Sequence, residues 1–185
     1  MQRSISAFVK AVIPAVAACS VIASAHAALD AGAKAPIFTA PAALAGKQFE
    51  YSLEDALKKG PVVLYFYPAA FTQGCSIEAR NFAEAMPQYQ ALGASVVGIS
   101  RDNIDVLAKF STADCQSKFP VASDAGQTIM QAYDAVLTAK PEWADRTSYV
   151  IAPDGKVLYS YTDLKPDQHV PNTLAALKKW KAANK

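Results

Sequence analysis

The sequence predicts a single α/β domain, a mixed sheet flanked by helices, and three features carry that prediction. The run Pro61-Val62-Val63-Leu64-Tyr65-Phe66 holds no charged residue, as expected of a central strand covered on both faces. Strand-like and helix-like segments then alternate three times, the pattern of helices packed over a largely parallel sheet. Finally, "RTSYVIAPDGKVLYSYT" offers two β-rich runs joined by Pro153-Asp154-Gly155, a hairpin that brings antiparallel strands to that sheet. With 185 residues, 52% of them apolar, the chain can bury one sizeable core and is too short for two ordinary domains.

The elements can be placed in order. Residues 28–50, rich in Ala, Pro and Gly, predict an extended lead-in with a short hairpin. "YSLEDALKKGP" predicts a short helix with Ser52 as its N-cap and Gly60-Pro61 as its stop. The strand at 62–67 is followed by a long helix from about Gln73 to Leu92, with Pro87 inside it as an expected kink. "ASVVGIS" reads as the next strand, and Asp102 with Asp105 opens a helix expected to continue through "DCQSKF". "FPVASD" is a third strand, "AGQTIMQAYD" a further helix, and "DQHVPNTLAALKKWKAA" a terminal helix with Leu174, Leu177 and Lys178 at helical spacing.

The first 27 residues stand apart. "MQRSISAFVK" carries Arg3 and Lys10 and no acidic residue, and a small-residue apolar stretch follows, ending in Ala25-His26-Ala27. That is the pattern of a secretory signal peptide cleaved after Ala27, which predicts a soluble periplasmic domain of residues 28–185 with no membrane attachment after cleavage. A membrane anchor is the competing reading, weakened by Pro14 and the short apolar core. Val16-Ala17-Ala18-Cys19 also loosely matches a lipoprotein box, but the apolar stretch continues past Cys19.

Removal of the leader takes away two positive charges of a formal +2, so the mature chain is close to neutral. Without basic runs it has no electrostatic footprint for nucleic acid. One histidine, His169, and two cysteines, Cys75 and Cys115, remain. They cannot make the usual zinc or haem sites, and no cofactor is expected. The chemistry must lie in sulfur, and two cysteines in an exported chain are a plausible disulfide pair.

Cys75 follows a strand, a turn containing Pro68 and Gly74, and the start of a helix. Free backbone N–H groups and the positive end of the helix dipole favour a thiolate there. At 100° per residue Cys75 shares a face with Ala79, Phe82 and Met86, so its sulfur is expected to look towards the core. From position alone it could equally be an inert buried cysteine.

The frame "PAAFTQGC" places Pro68, Thr72 and Cys75 as Pro-x-x-x-Thr-x-x-Cys. This resembles the active-site motif of the peroxiredoxins, and "SIEARNF" resembles their bacterioferritin-comigratory, or Q-type, branch. "VVLYFYPAAFTQGCSIEA", "VVGISRD", "FPVASDAGQTIMQAYDA" and "RTSYVIAPDGKV" are similar to family blocks in family order. The resemblance implies a thioredoxin-like fold and reduction of hydrogen peroxide and organic hydroperoxides by Cys75, with a thioredoxin-like or other dithiol as reductant. A monomer is expected, though no residue pattern sets the oligomeric state. The resemblance also implies roles: Thr72 to exchange a proton with the peroxide, Arg146 to stabilise the thiolate and the departing oxygen, Pro68 to shield the sulfur. Glu78 has two readings, a support for Arg146 or a solvated carboxylate on a helix face.

Oxidised Cys75, a sulfenic acid, must condense with a second thiol or risk further oxidation. In many Q-type members the resolving cysteine lies five residues on, and here that position is Arg80. Other members carry it in the helix that holds Cys115, which makes Cys115 the expected resolving thiol, with a core cysteine as the other reading. A thiol–disulfide oxidoreductase would want Cys-x-x-Cys where the chain has Cys75-Ser76-Ile77-Glu78. A copper-delivery protein would want paired cysteines with a histidine. A thioredoxin-like holdase or binding module is opposed by the intact Thr72, Cys75 and Arg146.

Overall fold

The computed structural model describes residues 28–184; the expected leader and Cys19 lie outside them. Seven strands form one sheet: β1 (Thr39–Leu44), β2 (Lys47–Ser52), β3 (Val62–Phe66), β4 (Ser95–Ser100), β5 (Val121–Ser123), β6 (Thr147–Ile151) and β7 (Val157–Thr162). The order across the sheet is β2-β1-β5-β4-β3-β6-β7. β3 pairs in parallel with β4, and β4 with β5. The hairpin β6–β7 docks antiparallel on β3, and β1–β2 docks antiparallel on β5. This is the mixed sheet the hairpin signal predicted.

Among the described residues five helices cover it: α1 (Leu53–Leu57), α2 (Gln73–Ala91), α3 (Ile104–Ala113), α4 (Thr128–Ala132) and α5 (His169–Ala183), the last preceded by a 3-10 turn at Pro166–Gln168. The charge-free run is explained by β3, whose five residues are all buried. Its odd-numbered positions, Val63 and Tyr65, join a core beneath α2, α3 and α5. Val62, Leu64 and Phe66 join a second core beneath α1 and α4. Each buried side chain of this size contributes about 1.5–3 kcal/mol relative to exposure. Gly98 on β4 stands opposite Tyr65, and a Cβ there would lie 2.7 Å from the tyrosine ring. Only glycine lets that ring lie flat in the core, stacked 4.4 Å from Phe82 of α2.

Local expectations hold in most places. Ser52 caps α1, its side chain accepting from the Asp55 N–H at 3.2 Å. α2 runs on through Pro87, whose missing N–H leaves the Ala83 carbonyl without its helical donor. Leu174 and Leu177 of α5 are buried while Lys178 is exposed. α3 departs from expectation at both ends. Its N-cap is Asn103, which accepts from the Val106 N–H at 3.0 Å, so Asp102 stands before the helix. The helix stops at Ala113 with Asp114 as C-cap, and Gln116 and Ser117 follow in left-handed conformation at φ 51° and 57°. Cys115 therefore sits in a turn and not on a helical face, because no right-handed helix continues through two left-handed residues.

Candidate active site

The site is assembled where β3 ends and α2 begins. After Phe66 the chain turns through Pro68, which is buried, and Phe71, a non-glycine residue held at φ 63°. The loop is fixed from a neighbouring strand: Asp102, just past β4, accepts from the Ala70 N–H at 2.7 Å and from the Ser100 hydroxyl at 2.8 Å. Sequence reasoning gave Asp102 a helix-opening role. Its actual task needs contact between residues 32 positions apart, which no local pattern announces.

Thr72 is the N-cap of α2, with φ −78° and ψ 148°, and its side chain makes no capping bond. Its hydroxyl donates to the Ala69 carbonyl at 2.9 Å. With the hydrogen committed there, the oxygen lone pairs remain free to accept from an incoming O–H. Cys75, in the first turn of α2, is 1% exposed and packs in the same core as Ala79, Phe82 and Met86. The face read from the sequence is the one the helix buries.

Arg146 comes to Cys75 from the start of β6. Its Nη2 lies 3.5 Å from the Cys75 sulfur, Nε donates to the Leu164 carbonyl at 2.9 Å, and Nη1 donates to Glu78 Oε2. The guanidinium is thus held along its whole edge, with Nη2 aimed at the sulfur. A Cβ on Gly74 would come within 3.0 Å of Nη2, so the small residue beside the cysteine admits the arginine. Burial works against charge on Arg146, but the Glu78 carboxylate and the Cys75 sulfur outweigh it and raise its pKa above the ordinary guanidinium value. Of the two readings of Glu78, the buried support is the correct one: the residue is 0% exposed.

That burial has an electrostatic consequence. Desolvation pushes the Glu78 carboxyl up to about 8, against the pull of Arg146. Its second oxygen, Oε1, has no hydrogen-bond partner among the described residues and faces Nδ1 of His169 at 3.6 Å. His169 is fully buried. Its Nε2 lies 2.9 Å from the Asp163 carbonyl, which can only accept, so Nε2 carries the proton and Nδ1 accepts from the Ser148 hydroxyl at 2.8 Å. Burial lowers the His169 pKa and keeps the ring neutral. His169 entered the sequence reading only as an excluded metal ligand, and its place behind Glu78 was missed.

Cys115 is also a free thiol, 0% exposed, in the core that holds Cys75. Burial raises its pKa well above the usual thiol range, and the Asp114 carboxylate beside it adds to the shift. Arg80, at the position five residues after Cys75, pairs with Asp114 at 2.6 Å. The geometry therefore joins Cys75, Thr72, Pro68 and Arg146 at one helix start, and places Cys115 as a second, shielded thiol on the same side of the sheet.

The AhpC/TSA family model matches residues 31–160. The chain belongs to the AhpC/TSA family. Within the AhpC/TSA proteins it is similar to peroxiredoxin Bcp of Xanthomonas campestris pv. campestris, 31% identical over 123 residues, which cover 63% of this chain and 76% of that protein. Among solved structures it resembles peroxidoxin BcpB from Mycobacterium tuberculosis, with a TM-score of 0.73 at 34% identity over 80% of this chain and 96% of that one. Xanthomonas campestris peroxiredoxin Q aligns with a TM-score of 0.66 at 29% identity, covering 76% and 90%. The thioredoxin-like architecture and the Bcp/Q-type likeness read from the sequence both hold.

Proposed function

We propose that this AhpC/TSA protein is an exported, thiol-dependent peroxidase that reduces hydrogen peroxide and organic hydroperoxides at Cys75, with Cys115 as resolving thiol. The observation that carries the peroxidase reading is the Arg146 Nη2 at 3.5 Å from the Cys75 sulfur, at a helix start where free N–H groups also favour negative charge.

In the first step the Cys75 thiolate attacks one oxygen of the hydroperoxide and the O–O bond breaks. The electron pair goes to the departing oxygen, which takes a proton and leaves as water or an alcohol. The sulfur, oxidised by two electrons, keeps the other oxygen as sulfenic acid. Thr72 orients the peroxide by accepting its O–H, and Arg146 offers a fixed positive charge to the thiolate and to the departing oxygen. Glu78 and Leu164 hold the guanidinium in place, so little reorganisation is needed as charge moves.

In the second step the Cys115 sulfur attacks the Cys75 sulfenic acid, an S–S bond forms, and water leaves. Both thiols are buried and Cys115 is held protonated by its surroundings, and only the thiolate is a good nucleophile. The step therefore requires the first turn of α2, the turn bearing Cys115, or both, to open locally. A thioredoxin-like or other dithiol then reduces the disulfide and takes up the oxidising equivalents. Export to the periplasm rests on the residue 1–27 pattern.

The test is peroxide consumption by residues 28–185 with a thioredoxin-type reductant, followed by mass spectrometry of protein treated with one equivalent of peroxide. Turnover that vanishes in Cys75→Ser and a Cys75–Cys115 disulfide in the wild type are expected. A Cys75→Ser protein retaining a tenth of the turnover would sink the assignment.

A further inference from the structure

The residues adjoining the two cysteines are bonded to each other. Ser76, next after Cys75, donates its hydroxyl to Asp114 Oδ2 at 2.7 Å. Arg80, one turn further along α2, donates Nε and Nη2 to Asp114 Oδ1 at 2.9 and 2.6 Å. Asp114 immediately precedes Cys115. Its side chain is 5% exposed, against 58% for that of Arg80. An acidic residue at a helix C-terminus opposes the dipole, so the position of Asp114 at the end of α3 is set by these three donors and not by α3 itself. Charge-assisted bonds of this length are the stronger kind.

The turn beyond Cys115 works the other way. Gln116 and Ser117 are consecutive left-handed residues with side chains, a conformation costing roughly 1–2 kcal/mol each. Phe71, before the first turn of α2, is left-handed as well. The two segments that must open thus hold backbone strain that opening releases, and a three-residue clasp that opening must break.

We propose that Asp114 is a positioning residue for the second half of the cycle, and that the Ser76–Asp114–Arg80 clasp sets how fast the Cys75 sulfenic acid reaches Cys115. The inference rests on the resolving role of Cys115. While the clasp is closed, Cys115 stays buried, whereas the register of Arg146 on Cys75 is set by Glu78 and Leu164. Once it parts, both cysteine segments are free to move. The sulfenic acid has two fates: it meets the Cys115 thiol and gives a disulfide and water, or it meets a second hydroperoxide and gives sulfinic acid and an alcohol or water. The clasp decides the partition between them. Because Arg80 is largely solvent-facing, added salt weakens its share of the clasp.

The experiment follows sulfenic acid, disulfide and sulfinic acid by quenched-flow mass spectrometry of wild-type, Arg80→Gln and Asp114→Asn proteins over a range of peroxide concentrations. Asp114→Asn is expected to form the Cys75–Cys115 bond about tenfold faster, a change equivalent to about 1.4 kcal/mol, and Arg80→Gln several-fold faster. Sulfinic acid should then appear only at correspondingly higher peroxide, with first-step oxidation of Cys75 unchanged within about twofold. A purely structural role would lower the melting temperature and leave the disulfide-to-sulfinic ratio as it was. An unchanged ratio in both variants overturns the clasp while Cys115 remains the resolving thiol. Failure of the wild type to form the bond removes that role, and the inference with it. Arg80→Gln, a surface change, carries the test if Asp114→Asn does not fold.

Discussion

At the scale of single residues the site is a fixed cation aimed at a buried sulfur, and Arg146 is its most informative member. If its task were only to keep Cys75 ionised, a high enough pH would replace it. The arrangement argues for more, because the guanidinium is locked by Glu78 and Leu164 and so can meet charge as it moves to the departing oxygen. Arg146→Ala is expected to slow peroxide reduction by roughly 100-fold or more, in the range of losing a preorganised donor. The defect should persist at about pH 9.5, where an ordinary thiol is already ionised. Full recovery there, in single-turnover rates, would confine Arg146 to ionisation. Glu78 gives a second prediction with a definite sign. Its folded pKa, about 8, lies above the ordinary carboxyl value of 4.5, so between those values the folded state binds more protons than the unfolded chain. Stability contributed by the protonated carboxyl is fully present below about 4.5 and is lost as pH rises through about 8. His169, with its lowered pKa, acts in the opposite sense: stability is lost as pH falls below its unfolded value. The comparison must therefore be wild type against Glu78→Gln. Urea unfolding at several pH values from 5 to 9 should show the difference between the two shifting against the wild type as pH rises; parallel curves would remove the titration from Glu78.

At the scale of elements, the site was legible wherever its chemistry is local in sequence and illegible wherever it is made by packing. Thr72, Cys75 and the start of α2 could be read because a strand, a turn and a helix onset adjoin one another. The closure of Arg146 on Glu78 joins residues 68 positions apart, and only the family likeness offered it, as one of two readings of Glu78; the docking of Asp114 on α2 joins residues 34 positions apart, and neither leaves a periodic trace. The end of α3 was missed for a related reason. "STADCQSKF" contains no glycine or proline to mark a stop, and the chain instead spends backbone strain at Gln116 and Ser117 to turn back into the core. That turn gives the element-scale prediction. Oxidation with one equivalent of peroxide should raise amide exchange at residues 71–76 and 111–118 and leave the strands unchanged, since helix ends and strained turns lie at the low-stability end of a fold. Cys115→Ser should complete one turnover and then accumulate Cys75 sulfenic acid until an external thiol is supplied. Normal turnover in that variant with the same dithiol would make Cys115 a core residue only.

At the scale of the whole molecule, the mixed sheet was readable because each part has a separate signature: unbroken apolar runs for the covered strands, Pro-Asp-Gly for the hairpin, helical spacing between. The lead-in was less readable, since Ala, Pro and Gly carry little periodic information, and the structure assigns it more than an extended path. Gly32 N donates to the Val157 carbonyl at 2.8 Å, Val157 N to the Ala33 carbonyl at 2.9 Å, and Ala35 N to the Gly155 carbonyl at 2.8 Å. Leu29 N reaches the Tyr149 hydroxyl at 3.2 Å. Ala35 is 1% exposed, and Ala28 and Leu29 pack against the core beneath α1 and α4. These bonds cover the start of β7, an edge strand whose unpaired groups would otherwise invite pairing with another chain. A domain beginning at Ala28, as signal cleavage after Ala27 would leave it, retains all of them. A domain beginning at Pro36 loses all of them. With net contributions near 1 kcal/mol for each backbone bond and a further share from the apolar contacts of Leu29 and Ala35, residues 36–185 should be less stable than residues 28–185 by at least about 3 kcal/mol. Urea midpoints of the two proteins measure the difference directly. The shorter one should also self-associate through its uncovered β7 edge, which sedimentation at increasing concentration would reveal. Equal midpoints would show that the lead-in merely lies on the sheet, and that the domain which folds starts at β1.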